Sequence, residues 1–115
     1  MLQVIGTKKC KETSKALRFL KERGIQFQFV DLNQRALSAG ELANIAASVG
    51  RDGLIDRDSK RYRDRGLSYM DYDPLEELET DVELLKTPVI RYGKKAVVGF
   101  DSAALLSLIS GDSHA

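Results

Sequence analysis

The sequence begins with the stretch LQVIGTKKCKET (residues 2–13), on which both the fold and the chemistry of the chain depend. Residues 2–5 are mostly apolar and end at Gly6, which predicts a short buried strand. From Thr13 onward the apolar residues recur with a helical period and indicate one buried helix face. Cys10 therefore lies in the loop between a strand and the start of a helix.

The next segments predict a second strand and a second helix. Gly24 follows the last periodic residue of the first helix, as expected of a helix end. Residues 25–32 alternate apolar and polar side chains, which predicts a strand. Ser38 and Glu41 then have the spacing of a capping box and predict the start of a second helix.

A charged helical middle and a β-β-α end complete the chain. Short helices are predicted over residues 59–65 and 75–78, with a further turn over residues 81–85. Residues 89–92 and 95–98 predict two antiparallel strands joined by a turn at Gly93. The final helix begins after Asp101, a good N-cap residue.

This order predicts an α/β fold with a small mixed sheet and helices on both faces. The first β-α-β unit is expected to be parallel with a right-handed crossover. We expect one domain over residues 1–115, with a helical insertion over about residues 38–86 and a flexible tail at 111–115.

The composition limits the classes of function. A net charge of +1 argues against nucleic-acid binding and against attraction to anionic membranes. No apolar run approaches the ~20 residues that span a bilayer. One cysteine cannot form an internal disulfide, which favours the cytoplasm. The single histidine, His114, lies in the tail, so we expect no metal site and no Cys–His pair. The sequence has no glycine-rich phosphate loop, and we expect no bound cofactor.

Cys10 is the candidate nucleophile. A thiol at a helix N-terminus with Lys8, Lys9 and Lys11 nearby is typical of sites where the thiolate is favoured. Thr13, three residues on, can donate a hydrogen bond to that thiolate but cannot form a disulfide with it. The alternatives stay open at this point: Cys10 as an inert residue in a gap, and Thr13 as an ordinary helix residue.

Two further features allow either a functional or a structural interpretation. The Thr87–Pro88 step precedes a strand, where a cis peptide is possible but a trans proline is far commoner. Arg57, Lys60 and Arg61 belong to a charged run that would suit an oxyanion, although such runs more often form a solvated helix face.

In the order and spacing of several short segments, the chain resembles the arsenate-reductase-like (ArsC) family, which includes YffB-type proteins and Spx-type transcriptional regulators. The resemblance covers about residues 2–109. Its anchors are CKETSKAL (10–17), GI (24–25), FVDL (29–32), Tyr62, GL (66–67), TPVI (87–90) and AVVGF (96–100).

The resemblance implies a thioredoxin-like sheet with a helical insertion between its halves. It also implies that Pro88 follows a cis peptide bond and faces Cys10. Cys10 is then the thiol that forms a mixed disulfide with glutathione or another thiol. Thr87 would orient the incoming thiol by its backbone, and glutaredoxin becomes a possible partner.

The chain also departs from the family pattern. Glutathione-linked arsenate reductases hold the oxyanion with three arginines, and two of those places hold Thr87 and Phe100 here. Arg57 lies near the third place. The Spx-type switch uses a second cysteine where this chain has Thr13, so an internal disulfide switch is excluded.

Three functions follow in order of preference. The first is an arsenate-reductase-like thiol oxidoreductase with glutathione or another thiol as co-substrate. The second is an Spx-like regulator that binds RNA polymerase or another protein through the charged residues 51–65. The third is true arsenate reduction with an altered oxyanion site.

Overall fold

The computed structural model describes residues 1–111; His114 and residues 112–115 of the predicted tail lie outside the described part. In this part the strands are β1 (Leu2–Gly6), β2 (Gln28–Asp31), β3 (Val89–Tyr92) and β4 (Lys95–Val98). The helices are α1 (Lys11–Glu22), α2 (Ala39–Val49), α3 (Lys60–Asp64), α4 (Pro74–Thr80) and α5 (Ser102–Ser110). Short 3₁₀ turns lie at Asp52–Leu54, Leu67–Tyr69 and Val82–Leu84.

The strands form one mixed sheet in the order β2-β1-β3-β4. β1 pairs with β2 in parallel, and β3 pairs antiparallel with both β1 and β4. This arrangement confirms the predicted mixed sheet and the predicted antiparallel pair near the end of the chain.

Alternation along β1 divides the apolar residues between two faces of the sheet. Val4 is buried with Leu20 of α1 and Leu105 of α5 on one face. Ile5 is buried with Ile45 of α2 and the other insertion residues on the opposite face. Helices therefore cover both faces, as the sequence predicts. None of the helices in the described part combines the length and the hydropathy that a membrane crossing requires.

The second strand is shorter than predicted, and the end of α1 explains why. The Ile25 N–H donates to the carbonyl of Leu20 (3.0 Å), and the Gly24 N–H donates to that of Lys21 (3.2 Å). These two bonds, with Gly24 at φ +67°, form a Schellman motif. Residue 25 is thus part of the helix cap, and the strand begins only at Gln28.

The outer side of β4 is closed by a side chain from α2. Ser48 Oγ accepts a hydrogen bond from the Ala96 N–H (2.8 Å) and donates one to the Ala96 carbonyl (3.3 Å). Ala96 lies on the edge strand, so its outward backbone groups would otherwise have no partner in the sheet.

Ion pairs join the helices of the charged middle. Asp81 is 9% exposed and accepts from Arg61 (2.7 Å) and Arg65 (3.2 Å), and Arg65 also pairs with Glu77. Burial raises the pKa of Asp81, but the bonds from the two arginines outweigh it and lower that pKa. Part of the charged run is therefore structural and not simply a solvated face.

The predicted capping box at the start of α2 is confirmed. Ser38 Oγ accepts from the Glu41 N–H (3.1 Å), and a Glu41 carboxylate oxygen accepts from the Ser38 N–H (3.0 Å). Arg35 adds two bonds of 2.9 Å to the same carboxylate. The bonds from Arg35 and from the Ser38 amide lower the pKa of Glu41 to about 2.

Replacing Glu41 with Gln should lower the free energy of unfolding at neutral pH by about 1–2 kcal/mol, because the charge-assisted bonds are lost. The folded pKa lies below the unfolded value of about 4.3, so the stabilisation is present above that value. It disappears as the pH falls towards 2. Urea unfolding at neutral and acid pH should therefore show a difference between wild type and variant that shrinks in acid.

The control is Glu79→Gln, an exposed change in α4. Equal stability of Glu41→Gln and wild type at neutral pH would contradict the prediction.

Candidate functional site

Cys10 occupies the N-cap position of α1, directly after the loop that leaves β1. The Cys10 N–H donates to the Thr7 carbonyl (3.2 Å), and the Ser14 hydroxyl donates to the Lys8 carbonyl (3.3 Å). These bonds hold the loop against the first turn of the helix. An N-cap side chain ordinarily accepts from the amides of the first turn. The Cys10 side chain makes no such bond in the structure, but an ionised sulfur at the N-cap can accept from the same amides.

Thr87 lies beside this sulfur although it is 77 residues away in the chain. The half-buried Cys10 thiol donates to the Thr87 carbonyl at 3.6 Å from sulfur to oxygen. The Thr87–Pro88 peptide bond is cis, as the family resemblance implies. The structure therefore brings Cys10 and Thr87 together.

Backbone pairing with the insertion fixes the approach to Thr87. Leu85 forms an isolated antiparallel bridge with Ile55. The Lys86 N–H donates to the Leu54 carbonyl (2.8 Å), and the Asp56 N–H donates to the Leu84 carbonyl (2.9 Å). The segment before Pro88 is thus held by the helical insertion.

Thr13 is fully buried in the first turn of α1. Within residues 1–111 its Oγ1 atom has no hydrogen-bond partner. A buried hydroxyl without a partner costs free energy, so its position needs a reason. A thiolate at Cys10 can accept a hydrogen bond from this hydroxyl, whereas the sulfur of a protonated thiol is a weaker acceptor.

The pKa of Cys10 is lowered from its ordinary value. Partial burial raises the pKa, but the side chains of Thr13 and Thr87 and the amides of Thr13 and Glu12, which can donate to an ionised sulfur, outweigh that effect. These groups favour the ionised form because they donate to it. The surroundings of Cys10 therefore favour its ionised form, and its role as a nucleophile stays a prediction.

Lys8, Lys9 and Lys11 are exposed around Cys10. None of the three takes part in an ion pair with another residue of the described range 1–111. The main causes that lower the pKa of Cys10 are hydrogen bonds from neighbouring groups and not lysine charges. A contribution of the lysines to the ionisation of Cys10 stays a prediction.

A cavity of about 260 Å³ lies beside the loop that joins β1 to α1, near the ends of β1 and β2 and beside the segment that leads into β3. Thr7, Lys9 and Thr87 line it on the side of the loop and of the cis peptide. Its remaining lining residues are Leu32, Asn33, Val82, Glu83 and Leu85. The cavity therefore offers one cationic and one anionic side chain beside the residues that flank the sulfur.

Arg57 lies in different surroundings. It pairs with Asp52 at 3.5 Å and lines a separate polar cavity of about 290 Å³ with Tyr62 and Tyr72. It is not among the residues that line the cavity beside Thr87. The structure thus does not bring Arg57 together with the cavity-lining residues next to Cys10, and its role in substrate binding stays a prediction.

Sequence reasoning missed several residues of this region. Asn33 and Val82 follow β2 and α4, and only the folded chain places them at one cavity. Glu83 carries no local motif, and its carboxylate lies 3.4 Å from Arg61. The sequence predicts Gly6 as the end of the first strand, which the structure confirms, but it does not reveal that Thr13 packs against this glycine. No signal in a single sequence identifies these contacts.

Comparison with known proteins gives one relative in sequence and several in structure. No protein-family model matches the chain. An uncharacterised protein of Haemophilus influenzae is 28% identical over 105 residues, which span 88% of this chain and 92% of the relative.

Among solved structures, an arsenate reductase (ArsC) related protein from Brucella melitensis is 25% identical with a TM-score of 0.72. The match covers 94% of this chain and 93% of that one. A YFFB protein has a TM-score of 0.84 at 21% identity, covering 94% and 98% of the two chains. These neighbours confirm the resemblance to arsenate-reductase-related proteins and the thioredoxin-like fold. A relationship to Spx-type regulators stays a prediction.

Replacing Thr13 with Val should slow alkylation of Cys10 by iodoacetamide at slightly acid pH by roughly three- to tenfold, because the thiolate loses a donor. The same change replaces an unpaired buried hydroxyl with a methyl group, so thermal stability should stay equal or rise. Alkylation rates across pH and a thermal melt provide the two measurements.

The matched control is Thr80→Val, which removes an exposed hydroxyl from α4. It should leave the alkylation profile unchanged. A Thr13→Val profile that coincides with wild type would show that the hydroxyl does not serve the thiolate.

Proposed function

We propose that this chain is a thiol-dependent oxidoreductase in which Cys10 exchanges disulfides with glutathione or another small thiol. The observation that carries the proposal is the half-buried Cys10 sulfur at the N-cap of α1, in contact with the carbonyl of Thr87. The amides of Glu12 and Thr13 and the side chains of Thr13 and Thr87 lower the pKa of that thiol. Such a setting suits a thiolate nucleophile.

The reaction follows from thiol–disulfide exchange. The Cys10 thiolate attacks one sulfur of oxidised glutathione, the glutathione S–S bond breaks, and one glutathione thiolate leaves. Cys10 then carries a mixed disulfide. A second thiol attacks the glutathione sulfur, which releases the Cys10 thiolate and a new disulfide. The sequence has no second cysteine, so the resolving thiol must come from another molecule. A different small thiol or a protein thiol, such as that of a glutaredoxin, leaves in a new disulfide with glutathione, whereas glutathione itself re-forms oxidised glutathione without net reduction.

The local environment gives each neighbour a role. The amides of Glu12 and Thr13 and the Thr13 hydroxyl hold the thiolate. The backbone at Thr87 orients the incoming thiol beside β3, in the manner of an added strand. Lys8, Lys9 and Lys11 attract carboxylates of the thiol substrate. A reducing compartment, the cytoplasm, keeps the lone thiol available between turnovers.

Arsenate reduction is a weaker candidate for this site. The positions where the resemblance expects two oxyanion-binding arginines hold Thr87 and Phe100, which carry no charge. Arg57 pairs with Asp52 and lines another cavity. A tetrahedral oxyanion would therefore lack most of its charge-assisted bonds near Cys10.

Incubation with oxidised glutathione tests the proposal. Intact-mass measurement should show one glutathione adduct on the wild-type chain and none on Cys10→Ser, because Cys10 is the single thiol. The adduct should form well below the pH at which a free cysteine of pKa about 8.5 reacts. Addition of reduced glutathione should then remove it.

Two results would contradict the proposal. One is a wild-type chain that gives no adduct while iodoacetamide still alkylates Cys10. The other is an adduct that forms only at alkaline pH, with the dependence of an unperturbed thiol.

A further inference from the structure

Gly6, the last residue of β1, has no positive φ and is therefore not required by its backbone conformation. The space around it provides the reason for glycine. A Cβ atom at this position would lie 2.4 Å from Thr13 Oγ1, 3.0 Å from its Cγ2 and 3.3 Å from its Cβ. Real Cβ atoms do not approach other heavy atoms to 2.4 Å, so any other residue here would force a shift.

The atom that would collide is the buried Thr13 hydroxyl that lacks a partner. Thr13 is the third residue of α1, and the carbonyl four residues earlier belongs to Lys9, outside the helix. Threonine also commonly bonds to the carbonyl three residues earlier, here that of Cys10, but the Thr13 hydroxyl makes neither bond. The hydroxyl can therefore donate to another acceptor, and the sulfur of Cys10 belongs to the same first turn of α1.

We propose that Gly6 is a positioning residue for the reactive thiol: its missing side chain leaves the space that holds the Thr13 hydroxyl where it can donate to an ionised Cys10. This inference rests on the proposed function. Gly6 does not touch the sulfur or a substrate, and it acts only through Thr13.

The alternatives open to an alanine at position 6 show why the effect is specific. Thr13 can rotate about χ1 so that only a hydrogen atom faces the new methyl group most closely, which moves Oγ1 out of its present position. Otherwise α1 must move away from β1, which carries the N-cap sulfur with it. Either response removes a donor from the thiolate, whereas the backbone pairing of residue 6 with Asp31 can persist.

The experiment compares Gly6→Ala, Thr13→Val and the double variant. Gly53→Ala is the matched control, because a Cβ there meets nothing within 4 Å and the residue has no positive φ. The readout is the pH profile of Cys10 alkylation, together with the ultraviolet absorbance of the thiolate during titration. A thermal melt records stability separately.

Gly6→Ala should shift the profile to higher pH and slow alkylation at slightly acid pH by about the same factor as Thr13→Val. The double variant should show little further shift, since both changes remove one interaction. Gly53→Ala should match wild type. The inference is overturned if Gly6→Ala folds and retains the wild-type profile, or if the two single effects add in full.

If Gly6→Ala does not fold, a double variant that also removes the Thr13 atoms nearest residue 6 still tests the inference. Gly6→Ala with Thr13→Ala removes the two shortest contacts and leaves the Cβ of residue 13 at 3.3 Å as the nearest of the three. It should fold and show the pH profile of Thr13→Ala alone, and a clearly different profile would overturn the inference.

The two proposals fail in distinguishable ways. The glutathione adduct on wild type tests the chemistry of Cys10 and does not depend on residue 6. A missing adduct contradicts the proposed function, whereas an unchanged pH profile in Gly6→Ala contradicts only the role of Gly6.

Discussion

The packing of Thr13 against the bare Cα of Gly6 fixes how closely helix α1 begins beside the end of strand β1. The position of the N-cap follows from that contact, and Cys10 is the N-cap. Burial on both sides of the contact keeps it tight, because Gly6 and Thr13 both lie inside the protein. The sulfur consequently stays at the N-terminus of α1, where the amides of Glu12 and Thr13 lower the pKa of the thiol.

Thr87, on the other side of the Cys10 sulfur, is held in place by residues that are distant from it in the sequence. The chain reaches Thr87 through a segment that pairs with Leu54 and Ile55, and ion pairs around Asp81 hold the helices that precede it. Folding of the charged middle and the geometry at Cys10 are therefore linked. A residue such as Arg61 affects the site through the backbone that it helps to hold, although it contacts neither the sulfur nor Thr87.

Local signals in the sequence were sufficient where the structure is local. The Ser38–Glu41 capping box and the glycine turn at Gly93 each lie where the sequence predicts them, and α4 begins at Pro74, one residue before the predicted helix. The predicted strand over residues 25–27 is wrong because the alternation of apolar and polar residues there does not form a strand. Ile25 instead belongs to the Schellman motif that ends α1. At the site, the place of Cys10 was predictable from its neighbours. The contact with Thr87 came only from family resemblance, and the Gly6 contact depends on tertiary packing that no single sequence reveals.

The two hydrogen bonds between Ser48 and the edge strand β4 affect how copies of this protein can associate. Open strands at a sheet margin invite pairing with another chain, which leads to dimers, domain exchange or fibrils. One hydroxyl on α2 already satisfies both outward groups of Ala96, so a foreign strand arriving at β4 gains no hydrogen bond there without displacing it. Self-association through that margin is thus discouraged by a single oxygen atom.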